Sequence, residues 1–433
     1  MKKITTALSI LMVICLMTGC SAGDNRNNCD SNSNSSTGSL SGAEPVELTK
    51  DVNTIVCIDY SIESFAPVQQ FSYELFSQNL EDTNPVLSPI SAYLAMGMAG
   101  LGAVGETRQA FEDVLDGDML CIPDYMMKNF PKEESGMQIS FANSAWLSEE
   151  LEVKDSWMNY LSSQYKAQVW QGNLSSTECM DSINSWIKEQ TREMIPVFLE
   201  EPLSTDARVA LFNTIYFKGN WRDPFEAHST REKEFTTSDG ETVPVDMMKK
   251  YHCNLDYLHT ETMEGVVLPY ESGNLSFVAI KPTAGQSVRE MYREITFAEL
   301  ELLLENRERT LVNLQLPKFN ITFDKELNDS FIQMGLEQAF DKDKADFSGI
   351  GTIPEEENLY ISLVRQKAVI CVDEEGTEAA AVTEVVMERA TTADLEEEPR
   401  NVFFREPFLY MIIDMETNVP LFMGIMDDPS AKE

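Results

Sequence analysis

Residues 374–390 read EEGTEAAAVTEVVMERA, and this stretch decides how the chain is built. Counting in twos from Thr377 picks out Thr377, Ala379, Ala381, Thr383, Val385 and Met387, every one small or apolar. The alternate set is Glu378, Ala380, Val382, Glu384, Val386 and Glu388, and its charges are all acidic. A period of two, with one uncharged face and one partly charged face, is the pattern of a half-buried strand. No proline interrupts it, so every backbone N–H is available to a ladder. Yet Gly376 and the alanines 379–381 are poor residues for an ordinary strand. Small side chains suit a segment that slides between strands already in place. The expectation is a strand that has yet to join its sheet.

Outward from that stretch, Val209 to Phe217, Leu275 to Ile280 and Leu311 to Leu316 read as strands. Phe408 to Ile413 and Pro420 to Ile425 read as two more around the turn Glu416-Thr417-Asn418. Helical faces come earlier. Val68, Phe71, Leu75 and Phe76 share one face, and Ile90 to Ala99 reads as a buried helix after the proline-closed piece Asn84 to Pro89. Ile183, Trp186 and Ile187 begin another helix, with Asp181 and Ser182 as cap candidates. A helix also fits Lys325 to Met334. Helices first, strands later and no βαβ alternation make an α+β pattern, in one domain that begins near Asp59.

The N-terminus has its own logic. Lys2 and Lys3 precede an apolar core from Ile4 to Met17, too short to span a membrane as a helix and right for a leader peptide. It ends Leu16-Met17-Thr18-Gly19-Cys20. Small residues directly before a cysteine are similar to a bacterial lipobox, in which Cys20 becomes a lipidated N-terminus. Met17 stands where that motif usually has leucine; secretion with an incidental cysteine is the other reading. The expected organisation is a leader over 1–19, a flexible Ser/Asn-rich tether over 20–58 and a folded domain over 59–433. Such a tether reaches about 30 Å. The protein is expected at the cell surface or outside the cell, held to a bacterial membrane by lipid without spanning it.

Charge narrows the partners. In 433 residues, 33 Lys and Arg face 72 Asp and Glu, a net charge of −39. That field repels nucleic acid and anionic lipid and favours cationic partners, though solubility alone also accounts for it. Eight cysteines are present. After Cys15 and Cys20 at the leader, Cys29, Cys57, Cys121, Cys179, Cys253 and Cys371 are irregularly spaced and form no CxxC. Mostly free, buried thiols are expected, with one disulfide left open. Gly100, Gly102 and Gly105 fit GxGxxG but follow a helix, so they read as a turn. His228, His252 and His259 lack a paired-ligand pattern, and neither a metal nor a cofactor is expected.

Six blocks, in order, resemble the serpin family over nearly all of the chain after Asp59. They are NPVLSPISAYLAMGMAGLGAVGET at 84–107, INSWIKEQTREMI at 183–195, LFNTIYFKGNWRDPF at 211–225, LPKFNITF at 316–323, LYISLVRQKAVICVDEEGTEAAAVT at 359–383 and EPFLYMIIDMETNVPLFMGIMDDP at 406–429. The resemblance implies three β-sheets, about eight or nine helices and an exposed reactive-centre loop, here about 374–400. It implies a metastable inhibitor of serine proteases, not an enzyme. The protease cleaves the loop, forms an acyl-enzyme, and is trapped as the hinge inserts into the central sheet. The hinge is Glu374, Glu375, Gly376, Thr377, Glu378, Ala379, Ala380, Ala381, Val382 and Thr383. Thr377 must be uncharged because it enters first, and Gly376 is read as supplying backbone freedom. Ser88, Ser91, Asn213, Trp221 and Gln366 form the sheet-opening region. Gln366 stands where the family commonly has histidine; its amide is suited to bridge Ser88 and Asn213 but does not titrate near neutral pH.

Counting fourteen residues from Gly376 puts the scissile bond at Ala390–Thr391, which suits an elastase-type pocket. One residue earlier, Arg389–Ala390 would suit a trypsin-like one. No heparin-like cofactor is expected at this charge, and the expected state is a monomer. A non-inhibitory serpin acting as a surface binding protein is the remaining alternative.

Overall fold

The computed structural model describes residues 8–18 (as backbone), 44–49, 65–134, 136–271, 274–283, 285–353, 358–377 and 398–431. Two large sheets and one two-stranded sheet carry the chain, with nine helices among the described residues when the continuous run 328–340 is taken as one. The α+β expectation holds.

Local signals account for most elements. In the helix Ala66–Ser77, Val68, Phe71, Leu75 and Phe76 are all buried, as their spacing demands. The helix Pro89–Gly100 is buried at every position and carries no charge. It starts cleanly because Ser88 caps it, accepting from the Ser91 N–H at 3.3 Å, and because Pro89 needs no N–H partner there. This helix packs on Ala207–Asn220 of the central sheet and on Val419–Met426 of the second. It therefore reaches both large sheets.

In the central sheet Met137–Ser148 pairs antiparallel with Ala207–Asn220, and Gln168–Gly172 lies parallel on its other side. At the far side Phe319–Glu326 pairs with Leu359–Val372. Between Ala207–Asn220 and Leu359–Val372 lies Leu8–Thr18, antiparallel to both. The stretch expected to be a leader outside the fold is thus a central strand here. Val46–Glu47, inside the expected tether, pairs with Trp170 and Gln171 at the sheet edge.

Two local expectations need correction. Lys325 and Glu326 end the strand Phe319–Glu326, because buried Phe319, Ile321 and Phe323 alternate with period two; the helical run begins only at Asn328. Asp181 and Ser182 lie inside the helix Thr177–Gln190, whose cap is Ser176, accepting from the Cys179 N–H at 3.1 Å. Cys179 and Cys253 are free thiols and Cys121 is disulfide-bonded, so the disulfide left open by the sequence is present. Burial pushes the Cys179 thiol up to about 12, so it is inert at neutral pH.

Candidate functional site

The strands Ala207–Asn220 and Leu359–Val372 bound a slot that runs the length of the central sheet. Gly376–Thr377 enters its upper end. Thr377 pairs with Val372 on one side and Gly219 on the other, and Gly376 pairs with Asn220. Two residues further down the same strand, Phe217 pairs with Leu8. Leu8–Thr18 then continues in the same direction as the hinge, with Met12 opposite both Asn213 and Gln366. Gly376–Thr377 and Leu8–Thr18 lie end to end in one slot.

The upper end is built by side chains. Thr377 is fully buried and shares a hydrogen bond of 2.6 Å with the Tyr270 hydroxyl. Burial holds the Tyr270 phenol well above its ordinary value, so it remains protonated. Its ring stacks on Trp221, with centroids 4.9 Å apart and planes 9° off parallel. Trp221 in turn grips the turn before the hinge. Its indole N–H donates to the Asp373 carbonyl at 2.9 Å, and its backbone N–H to that of Glu375 at 2.8 Å. The Asp373 carboxylate accepts from the N–H groups of Glu375 and Gly376, which closes the turn locally.

Glu374 is the charged anchor. Lys318 donates to one carboxylate oxygen at 2.6 Å and Thr230 to the other at 2.7 Å. Burial alone would raise the Glu374 carboxyl, but these bonds outweigh it and hold it below the usual range. Burial would likewise lower Lys318, and the bond to Glu374 outweighs that and raises it. Asp373 is moved the other way: burial dominates and raises it.

Gly376 is required for space. A Cβ there would lie 2.1 Å from the Gly219 carbonyl oxygen and 2.8 Å from the Asn220 Cα. Both are backbone atoms of a central strand and cannot yield. Its φ is not left-handed, so in this arrangement it is close approach to the neighbouring strand that requires glycine.

The middle of the slot is pinned differently. Gln366 is fully buried; its side-chain oxygen accepts from the Ser88 N–H at 2.9 Å and its amide donates to the Ser88 carbonyl at 3.0 Å. One carboxamide thus matches one peptide unit, holding the start of the buried helix to Leu359–Val372. The two nitrogens of an imidazole cannot present a donor and an acceptor side by side in this way. The Ser88 hydroxyl donates to Ser91 at 3.0 Å. Across the slot, Asn213 donates to the Asn143 side-chain oxygen at 2.6 Å, and Asn143 donates to the Tyr165 carbonyl at 2.7 Å.

The family model described as Serpin (serine protease inhibitor) matches residues 66–429. The chain is a serpin. It is 30% identical over 371 residues to an alpha-1-antitrypsin-like protein of Tamias sibiricus, covering 83% of this chain and 86% of that one. Among solved structures it is similar to the thermophilic serpin tengpin in its native state, with 32% identity, a TM-score of 0.81, and coverage of 89% of this chain and 100% of that one. Against tengpin in its latent state the values are 31%, 0.73, 86% and 99%.

In this serpin the five residues expected to form one opening region fall into separate clusters. Gln366 does not bridge Ser88 and Asn213, because Leu8–Thr18 lies between their strands and each side finds its own partners. Two ladder spacings, about 10 Å, exceed an amide's reach. Trp221 lies beyond Asn220, about 25 Å along the strand from Asn213, and serves the hinge instead. Tyr270, Lys318, Thr230 and Asn143 join the site without any mark in the sequence, since none carries a local pattern. Of the hinge, Glu374 to Thr377 are placed as above. Glu378 to Thr383, the Arg389, Ala390 and Thr391 of the reactive bond, and Cys20 lie outside the described residues.

Proposed function

We propose that this protein inhibits serine endopeptidases as a suicide substrate. The protease serine oxygen attacks the Ala390 carbonyl, the Ala390–Thr391 bond breaks, and the Thr391 amine leaves with the proton passed on by the protease histidine. The ester that remains ties the protease to the loop. Residues from Glu378 onward then follow Thr377 into the slot, and the dragged protease loses the geometry needed to hydrolyse the ester. The observation that carries this reading is Thr377, already paired on both sides and buried at the head of an antiparallel slot. That slot also accepts an eleven-residue strand, Leu8–Thr18, for the rest of its length.

An elastase-type target follows from the small residue at Ala390. A trypsin-like target follows if the bond is Arg389–Ala390. The mature protein is anchored outside the cell through lipid on Cys20, where it protects surface proteins from foreign proteases. The test is incubation of the soluble domain with an elastase and, separately, with a trypsin. A detergent-stable complex at the summed mass, releasing a peptide that begins at Thr391, supports the first reading. A released peptide beginning at Ala390 moves the bond to Arg389. Clean loop cleavage with full protease activity and no complex makes the protein a non-inhibitory binding serpin.

A further inference from the structure

The register of the slot assigns each leader residue a counterpart in the loop. Thr377 pairs with Gly219, Leu8 with Phe217 and Ile14 with Leu211. Continuing the hinge down Ala207–Asn220 would place Ala379 opposite Phe217 and Val385 opposite Leu211. Leu8–Thr18 therefore stands in the places that residues 379–389 would take. Its direction is the same, and it pairs with both bounding strands. Two strands cannot use one set of ladder groups, so leader and loop exclude each other.

The leader is also the better occupant. LSILMVICLMT contains no charge, whereas residues 379–389 include Glu384, Glu388 and Arg389. A strand inserted between two others leaves no backbone group unpaired on either edge. The connection is long enough. Between Thr18 and the edge strand Val46–Glu47 lie residues 19–45, and four strand spacings separate the two places, about 20 Å. The fully extended reach of that many residues, about 90 Å, is several times the gap. Both strands can be seated at once, and the covalent link keeps the leader at about millimolar effective concentration.

We propose that the leader, while attached, occupies the insertion slot in place of loop residues 379–389 and keeps the precursor from trapping a protease. Cleavage before Cys20 removes that advantage and arms the inhibitor. The device keeps a single-use inhibitor from being spent before export. It rests on the trapping reading above and on processing at Cys20.

The experiment compares three proteins: the full chain made in a membrane-free translation system so that the leader remains, the same chain with Met12→Pro, and the chain from Ser21. Met12 pairs on both sides, and proline there has no N–H to give. Each is titrated against an elastase and a trypsin, and hydrogen exchange is read on residues 8–18. The chain from Ser21 and the Met12→Pro chain are expected to form the detergent-stable complex. The unaltered full chain is expected to be cleaved in its loop with about tenfold more molecules consumed per protease inactivated. Its residues 8–18 should be protected, and those of Met12→Pro should exchange freely. Equal trapping by all three, or free exchange of residues 8–18 in the full chain, overturns the proposal. If no protein traps either protease while residues 8–18 remain protected, the trapping reading fails and the regulation proposed here falls with it. The seating of the leader would then stand alone.

Discussion

At the hinge end, the slot is held by side chains that recognise particular residues. Further down, Leu8–Thr18 is held by backbone pairing on two sides. At the hinge, Tyr270 meets Thr377, Lys318 and Thr230 meet Glu374, and Trp221 meets the turn between. These contacts tolerate little change. A ladder, by contrast, asks only for an extended segment with its N–H groups intact and no unpaired charge. The lesson is a division of labour. The hinge end recognises particular residues, and the body of the slot holds a strand through backbone pairing.

The largest effect expected from that contrast is at Thr377. Thr377→Arg would bury a charge with no partner at a position that is 0% exposed, at a cost of several kcal/mol, roughly. Loss of the detergent-stable complex, with the protease left active, is the expected readout. An arginine seated here without loss of trapping would mean that the hinge end is as permissive as the body. Gly376→Ala should come next, at about 1–3 kcal/mol, because its Cβ collides with backbone of Ala207–Asn220. Denaturant unfolding and complex yield should fall together.

Gln366→Leu is expected to cost about 2 kcal/mol by leaving the buried Ser88 N–H unpaired. The Ser88 carbonyl keeps a bond from the Ala92 N–H, which limits the loss. Since Gln366 does not titrate, neither the wild type nor this variant should owe any pH dependence between 6 and 8 to this position.

The Glu374 anchor gives a smaller and pH-dependent effect. Its folded value lies below the ordinary 4.5, so its stabilisation is present above that value and is lost as pH falls through the folded one. Asp373 opposes it: a raised carboxyl favours the folded state as pH falls through its folded value. Lys318→Met should cost about 1 kcal/mol at pH 7, discounted because Lys318 is one-third exposed, and should weaken the acid-side loss. Thermal midpoints at pH 7 and below 4.5 would check both. Last, Tyr270→Phe combined with Thr377→Val in a double-mutant cycle should return a coupling of about 1 kcal/mol.

Much of this fold is legible locally. Val68, Phe71, Leu75 and Phe76 mark a helix because burial of one face dictates their spacing. Gly376 and Thr377 are legible because residues buried at the head of a slot between two strands have to be small and uncharged. Lys325 reads as helix and lies in a strand because a short apolar run fits either period. Gly376 stands out in the sequence, but its reason does not, since nothing local reports a neighbouring strand's carbonyl oxygen. Lys318 and Glu374 are 56 residues apart, and Tyr270 and Thr377 are 107 apart. Their pairing follows from strand order, which no window of residues contains.

By itself, the sequence determined the serpin motifs, the composition of the hinge and an apolar N-terminal stretch. These properties depend on each residue's own polarity and volume. Only the tertiary structure decided that Gln366 pairs with one peptide unit of Ser88, that Trp221 serves the hinge, and that Leu8–Thr18 lies between Ala207–Asn220 and Leu359–Val372. An apolar eleven-residue segment is compatible with a leader and with a strand, and nothing local chooses the strands it pairs with. What chooses is the set of backbone groups left unpaired elsewhere in the chain, and those exist only once the sheet has formed.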